Sequence, residues 1–324
     1  MRKVILDCDP GHDDAFAIML AAQNLDLLGV TTVGGNGYLK NVTRNALVVL
    51  EKIGRRDIKV YPGHAGPCTQ KLVIADNVHG TSGMDGPVVS EPLNKPETKH
   101  GVDFIVETVM NTDNVTLIAT GPLTNIASAL NKEPRIAERV DGIYIMGGGA
   151  YCGNWTPAAE FNIYVDPEAA YKVFNCGAPV YMAGVNLTRQ CPVTKEMIEK
   201  MRNIGNEVGK FSAELCDFFA RDGEAHLHDA CAVAWAIDPS IVKDSFLHVD
   251  VELNGTLTRG MTVTDLRFLQ TSNPEADIDL GSTNKWDKEP EGSQFRGKQP
   301  NTHVGMRLDY EKFCDLLFKT LSNY

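Results

Sequence analysis

A chain of 324 residues is long enough for one large α/β domain, or two small ones, around a well-buried core. Its 43% hydrophobic and 23% charged residues are ordinary globular usage. The formal charge of −11 argues against nucleic acid or an anionic membrane as partner, because both select basic surface, and leaves a small neutral or cation-assisted substrate.

Basic Arg2-Lys3 followed by Val4-Ile5-Leu6 faintly imitates a secretion signal, but the apolar part stops at Asp7, far short of a signal core. No apolar run approaches the roughly 18 residues of a spanning helix. The expectation is a cytoplasmic protein. Eight cysteines without a CxxC or zinc-type spacing predict reduced, mostly buried thiols rather than a disulfide framework.

In chain order, Val4-Ile5-Leu6 predicts a buried first strand and residues 15–22 a mostly buried helix. Between them, Asp7-Cys8-Asp9-Pro10-Gly11-His12-Asp13-Asp14 packs four carboxylates onto one tight turn. Pro10 and Gly11 suit a bend there, and Asp13 or Asp14 can face the helix N-terminus. Residues 27–33 read as a second strand, ending at Gly34-Gly35-Asn36-Gly37. Apolar spacing predicts a helix over 41–53, stopping before Gly54, and 58–61 form a short strand. Residues 62–98 are rich in Gly, Pro, Asn and Asp and read as one long loop of the kind that lines active sites.

A helix is expected at 102–111, a strand at 115–119, a helix at 123–130 and a strand at 142–146. Then follow a helix at 167–174, a strand at 179–184, one or two helices in 194–220 and a buried helix at 228–237. Strands at 246–253 and 303–308 and a helix at 310–321 close the chain. Residues 271–300 are polar and predict a surface excursion. The alternation argues for a single domain, 1–324, built on a mainly parallel, Rossmann-like open α/β sheet with helices on both faces. Such sheets bind ligands beyond the carboxyl ends of their strands, where Asp9, Asn36, Thr120 and Met146 fall.

Four like charges in eight residues either face water as helix caps or surround a hard divalent cation. A strand followed by Asp-x-Asp also suits a Mg2+-dependent phosphatase with Asp7 as nucleophile, though Gly11 departs from that pattern. Gly147-Gly148-Gly149 does not make a dinucleotide fingerprint, because Cys152 stands where the third glycine belongs.

The full pattern, DCDPGHDDA, resembles the signature of the inosine–uridine-type nucleoside hydrolase family. The likeness continues in order through Gly35-Asn36, Asn77-Val78-His79-Gly80, Thr120-Gly121-Pro122-Leu123-Thr124-Asn125 and Ile145-Met146-Gly147-Gly148-Gly149. It goes on through Ala159-Glu160-Phe161-Asn162, Asp166-Pro167-Glu168-Ala169-Ala170 and His228-Asp229, spanning nearly the whole chain. It implies a Ca2+-dependent ribonucleoside N-glycosidase that releases ribose and a free base in nucleoside salvage, and a homo-oligomer, tetramer or dimer.

Position by position, the resemblance implies calcium ligands at Asp9, Asp14, Asp229 and the Thr120 carbonyl, with Asp13 as general base and Asp7 in support. It implies substrate contacts from Asn36, Met146, Asn154, Glu160, Phe161, Asn162 and Asp229, and base contacts from His79 and His228. Bland readings stand beside these: Asp229 could cap the helix that follows, and Asn36 and Asn154 could serve turns. Glu160 and Asn162, two apart, would share one face of an extended segment. His12 and His226 have no such support. The segment before His228-Asp229 is shorter than in the family and offers only Phe218 and Phe219 as aromatics, so no base preference carries over. Asn186 stands where some relatives have Asp. The rivals are the phosphatase and a non-catalytic nucleoside- or ribose-binding protein, against which the intact Asp13 speaks.

Overall fold

Alternation of side chains along the first strand, β1 (Lys3–Cys8), organises the molecule. The computed structural model describes residues 1–267, 294 and 297–324; of the predicted excursion, 271–293, 295 and 296 lie outside the described residues. Val4, Leu6 and Cys8 point into one apolar core, and Ile5 points into a second on the opposite face. Both sides of β1 are therefore buried, which is why it reads as a continuous apolar run.

The remaining strands are β2 (Asp26–Thr32), β3 (Val60–Pro62), β4 (Val115–Ala119), β5 (Val140–Met146), β6 (Val180–Ala183), β7 (Val242–Leu247), β8 (Val249–Val251), β9 (Thr262–Thr264) and β10 (Thr302–Leu308). Eight of them form one sheet in the order β3-β2-β1-β4-β5-β6-β10-β7. All neighbours in it are parallel except β7, which runs antiparallel to β10 at the edge. The predicted strand at 246–253 is divided. The chain leaves the main sheet at His248, and β8 pairs with β9 in a separate two-stranded ribbon.

Helices His12–Asn24, Leu39–Lys52, Glu207–Phe219, His228–Ile237 and Tyr310–Ser322 cover the face of Val4 and Leu6. Gly101–Asn111, Thr124–Lys132 and Pro167–Phe174 cover the other. Helix His12–Asn24 is buried all round from His12 to Ala22, packed between β1 and helix His228–Ile237, so it carries no amphipathic stripe. The predicted long loop 62–98 contains one helical turn, Asp76–His79. All eight cysteines are free thiols, and among the described residues no helix is long and apolar enough to cross a membrane.

Candidate active site

A cleft of about 360 Å³ opens at the carboxyl ends of β1, β4 and β5. Its floor comes from the starts of helices His12–Asn24 and His228–Ile237, which pack together. Asp13, Asp14 and Asp229 each bring a carboxylate oxygen within 4.8 Å of the other two, and all three are buried. Asp14 is held by three neighbours. Its Oδ2 accepts from the Gly11 N–H at 3.0 Å and from Asn36 Nδ2 at 3.2 Å, and its Oδ1 accepts from Thr120 Oγ1 at 2.8 Å.

Asp9 is fully buried; its Oδ2 accepts the Asn36 N–H at 2.6 Å, while its Oδ1 has no hydrogen-bond partner. Glycine is required around it. A Cβ on Gly35 would stand 2.1 Å from Asp9 Oδ2, and one on Gly121 2.6 Å from Oδ1. Burial pushes the Asp9, Asp14 and Asp229 carboxyls upward, and pushes Asp13 up to about 7, with the charge of Asp14 adding to the shift at Asp9 and Asp13. Crowded, desolvated carboxylates with an orphaned oxygen among them are costly unless neutralised. Hard oxygen donors in that number fit a hard divalent cation.

Asp7 sits behind this floor, fully buried, with Oδ1 accepting from Asn125 Nδ2 at 2.8 Å and from Thr31 Oγ1. It does not line the cleft, so it has no access to a phosphate ester as a nucleophile. Asp229 is in the first turn of its helix, whose N-cap is Leu227, so it is not the cap.

The next wall comes from strand ends. Asn162 Nδ2 donates to the Thr120 carbonyl at 2.8 Å and the Met146 carbonyl at 3.0 Å, tying the end of β4 to that of β5. The expected extended segment at 160–162 is instead a helix start. Glu160 caps helix Phe161–Val165, its Oε2 accepting from the N–H groups of Ile163 at 3.2 Å and Gly148 at 2.9 Å. A short polar stretch before an apolar run can begin a helix as readily as continue a strand, and the cap bond decides. Burial raises the Glu160 carboxyl to about 7. Asn154 Oδ1 accepts the Phe161 N–H at 2.9 Å, and Trp155 meets the Phe161 ring edge-on at 4.9 Å. Asn36, Met146, Asn154, Glu160, Phe161 and Asn162 all line the cleft.

Of the three histidines that line the cleft, His79, His226 and His228, the two that the resemblance singles out come from different walls. His228 opens its helix with Nδ1 2.6 Å from Thr188 Oγ1, and burial lowers its pKa to about 3. His79 ends the turn Asp76–His79; its Nδ1 lies 3.0 Å from His12 Nδ1, and burial holds it well below the usual histidine range. His12 thus has a place that sequence did not show, behind the wall. It stacks on Phe218 at 5.2 Å and on His79 and Phe219 at 5.3 Å. Trp155, Phe219, Arg221 and His226 also line the cleft. Sequence reasoning missed Trp155 and Arg221, and their one available signal was adjacency to Asn154 and to the Phe218-Phe219 pair.

Residues 4–315 match the sequence model described as inosine-uridine preferring nucleoside hydrolase. The chain is 42% identical to a pyrimidine-specific ribonucleoside hydrolase, RihA, from Photobacterium profundum, over 100% of this chain and 99% of that protein. Among solved structures, a plant nucleoside hydrolase, PpNRh1, superposes with a TM-score of 0.85 at 32% identity, covering 100% of this chain and 99% of that one. A purine-preferring ribonucleoside hydrolase from Gardnerella vaginalis gives a TM-score of 0.86 at 30% identity, covering 99% and 98%. Metal dependence is general in this family, and the buried acidic cluster suits it. The chain belongs to the inosine-uridine preferring nucleoside hydrolase family and is a hydrolase of N-glycosyl bonds.

Proposed function

We propose that this enzyme is a Ca2+-dependent ribonucleoside hydrolase of nucleoside salvage that prefers pyrimidine nucleosides. The observation that carries the reading is the buried cluster Asp13, Asp14 and Asp229, of which Asp13 and Asp229 face a cleft whose walls hold Asn36, Asn154, Glu160 and Asn162. The pyrimidine preference rests on the relative from Photobacterium profundum, which is named pyrimidine-specific. We place the enzyme in the cytoplasm as a homo-oligomer, dimer or tetramer.

Asp9, Asp14, Asp229 and the Thr120 carbonyl would hold the cation, which supplies a Lewis acid to the attacking water and the sugar hydroxyls. Its charge favours the ionised form of every carboxylate around it. Asp13, which faces the cleft, takes the proton from the water as that water attacks C1′ of the ribose. The amides and carboxylate of Asn36, Asn154, Glu160 and Asn162 bind the sugar hydroxyls, a pairing that rejects sugars lacking them. Cleavage passes through an oxocarbenium-like state, and the departing base gains from a proton. We assign His228 and His79, which line the cleft, to that end of the bond; burial keeps both neutral, so each would offer the departing base a ring N–H.

Purified protein supplied with uridine, cytidine, inosine and adenosine, with reducing sugar as readout, tests this reading. Uridine and cytidine should turn over fastest. Release of ribose from inosine at an equal or higher rate would overturn the pyrimidine preference, and no release from any of the four would overturn the reading itself. Sedimentation of the same sample reports the oligomer.

A further inference from the structure

We propose that Arg221 is a positioning residue for the nucleobase, clamping the two outer walls of the cleft together and setting the width of the base subsite. The inference rests on the proposed hydrolysis of nucleosides. Arg221 lies on the short segment before His228-Asp229, on an exposed stretch where an arginine side chain ordinarily ends in water. Here the guanidinium is committed. Nη2 donates to the Asn77 carbonyl at 3.3 Å, and Nη1 donates to the Val78 carbonyl at 3.3 Å and the Phe218 carbonyl at 3.0 Å. Nε faces Asp222 Oδ2 at 3.0 Å.

The first two carbonyls belong to the single helical turn Asp76–His79, which is too short to satisfy them internally. The planar fork of arginine can reach neighbouring carbonyls while its face lies on a ring, which a lysine cannot do. That face lies 3.9 Å from the centroid of Phe218. From Phe218 the order passes inward. His12 stacks on Phe218 at 5.2 Å, and on both Phe219 and His79 at 5.3 Å, all within 18° of parallel. Phe219 and His79 line the cleft. One side chain therefore joins segments some 140 residues apart and ends the ring stack that presents His79 to the base. Three of its five N–H groups go to protein carbonyls and a fourth, Nε, faces the Asp222 carboxylate, so most of the guanidinium serves the protein rather than a substrate phosphate.

The test uses the Ca2+-loaded enzyme with Arg221→Ala and Arg221→Lys. For Arg221→Ala the KM for uridine should rise about tenfold, while the inhibition constant of free ribose and the melting temperature stay unchanged. Amide exchange at residues 76–80 should accelerate, and Arg221→Lys should fall between the two. A parallel rise in ribose inhibition constant and uridine KM would overturn the clamp, as would no change in either. A loss confined to a nucleoside 5′-monophosphate would also overturn it, in favour of a phosphate contact. If the wild type hydrolyses no nucleoside, the proposed function fails and exchange decides the clamp alone. Faster exchange at 76–80 in Arg221→Ala then supports it, and unchanged exchange overturns it.

Discussion

Three aspartates of one turn end in different surroundings, and the surroundings separate their roles. Asp9 keeps an unpartnered oxygen, Asp14 is held by Gly11, Asn36 and Thr120, and Asp13 faces the cleft. Asp13→Asn should therefore retain the cation and ribose affinity while kcat falls by ~10²–10⁴, the usual worth of a general base. Asp9→Asn should instead lose cation by elemental analysis. If the two variants match in metal content and rate, these roles are wrong. His228, beside Asp229 and 2.6 Å from Thr188, is assigned to the leaving base. His228→Ala should slow uridine hydrolysis by ~10²–10⁴ and barely change that of nitrophenyl riboside, whose leaving group needs no proton. Equal losses on both would assign His228 to the sugar or the metal instead.

At the scale of elements, helix His12–Asn24 carries both the core and the chemistry. Its first turn supplies Asp13 and Asp14, and its next residues, Ala15 to Ala21, are fully buried between β1 and helix His228–Ile237. Phe16 is among the largest fully buried side chains of the protein. Phe16→Ala should cost about 3–5 kcal/mol in denaturant unfolding, the range for emptying an aromatic core site, and Phe16→Leu much less. Because the same helix aims Asp13 and Asp14, Phe16→Ala should also lower activity below the melting transition. Full activity with full loss of stability would show that the site is positioned by the turn alone.

For the whole molecule, the carboxylates couple stability to pH and to metal. An acid whose pKa rises on folding holds more protons folded than unfolded between the two values, so stability falls as pH rises through that interval. For Asp13 the interval runs from 3.8 to about 7, and Asp7 follows the same course; Asp9, Asp14 and Asp229 shift the same way. The buried His12, His79 and His228 are lowered and work in the opposite sense, but only below their ordinary 6.5, so metal-stripped protein should melt at a lower temperature at about pH 8 than at about pH 6.5. Added Ca2+ should restore more of the melting temperature at the higher pH, because its ligands must be ionised. A melting temperature of stripped protein that rises with pH between those two values would contradict this account.

The alternation of short apolar runs with helical spacings was enough to foresee the parallel sheet, because strands buried on both faces leave an unmistakable record. The ordered motifs likewise carried the family and the inner part of the cleft, since Asn36, Thr120 and Met146 sit at or just beyond strand ends, while Trp155 and residues 221–226 of the outer wall lay outside them. Local patterning could not decide what depends on partners distant in sequence. The capping of helix Phe161–Val165 by Glu160 overrode the extended reading, because the Glu160 carboxylate also accepts from the N–H of Gly148, on the loop after β5. The break at His248 depended on which neighbour each half of the segment pairs with, β10 for one and β9 for the other. His12 and Arg221 acquired their places only when a stack of rings and a set of backbone carbonyls closed around them. Sequence determined the scaffold and the chemistry at strand ends, where period and motif are local. Tertiary structure alone decided the outer walls of the cleft, where the contacts join residues about 140 apart.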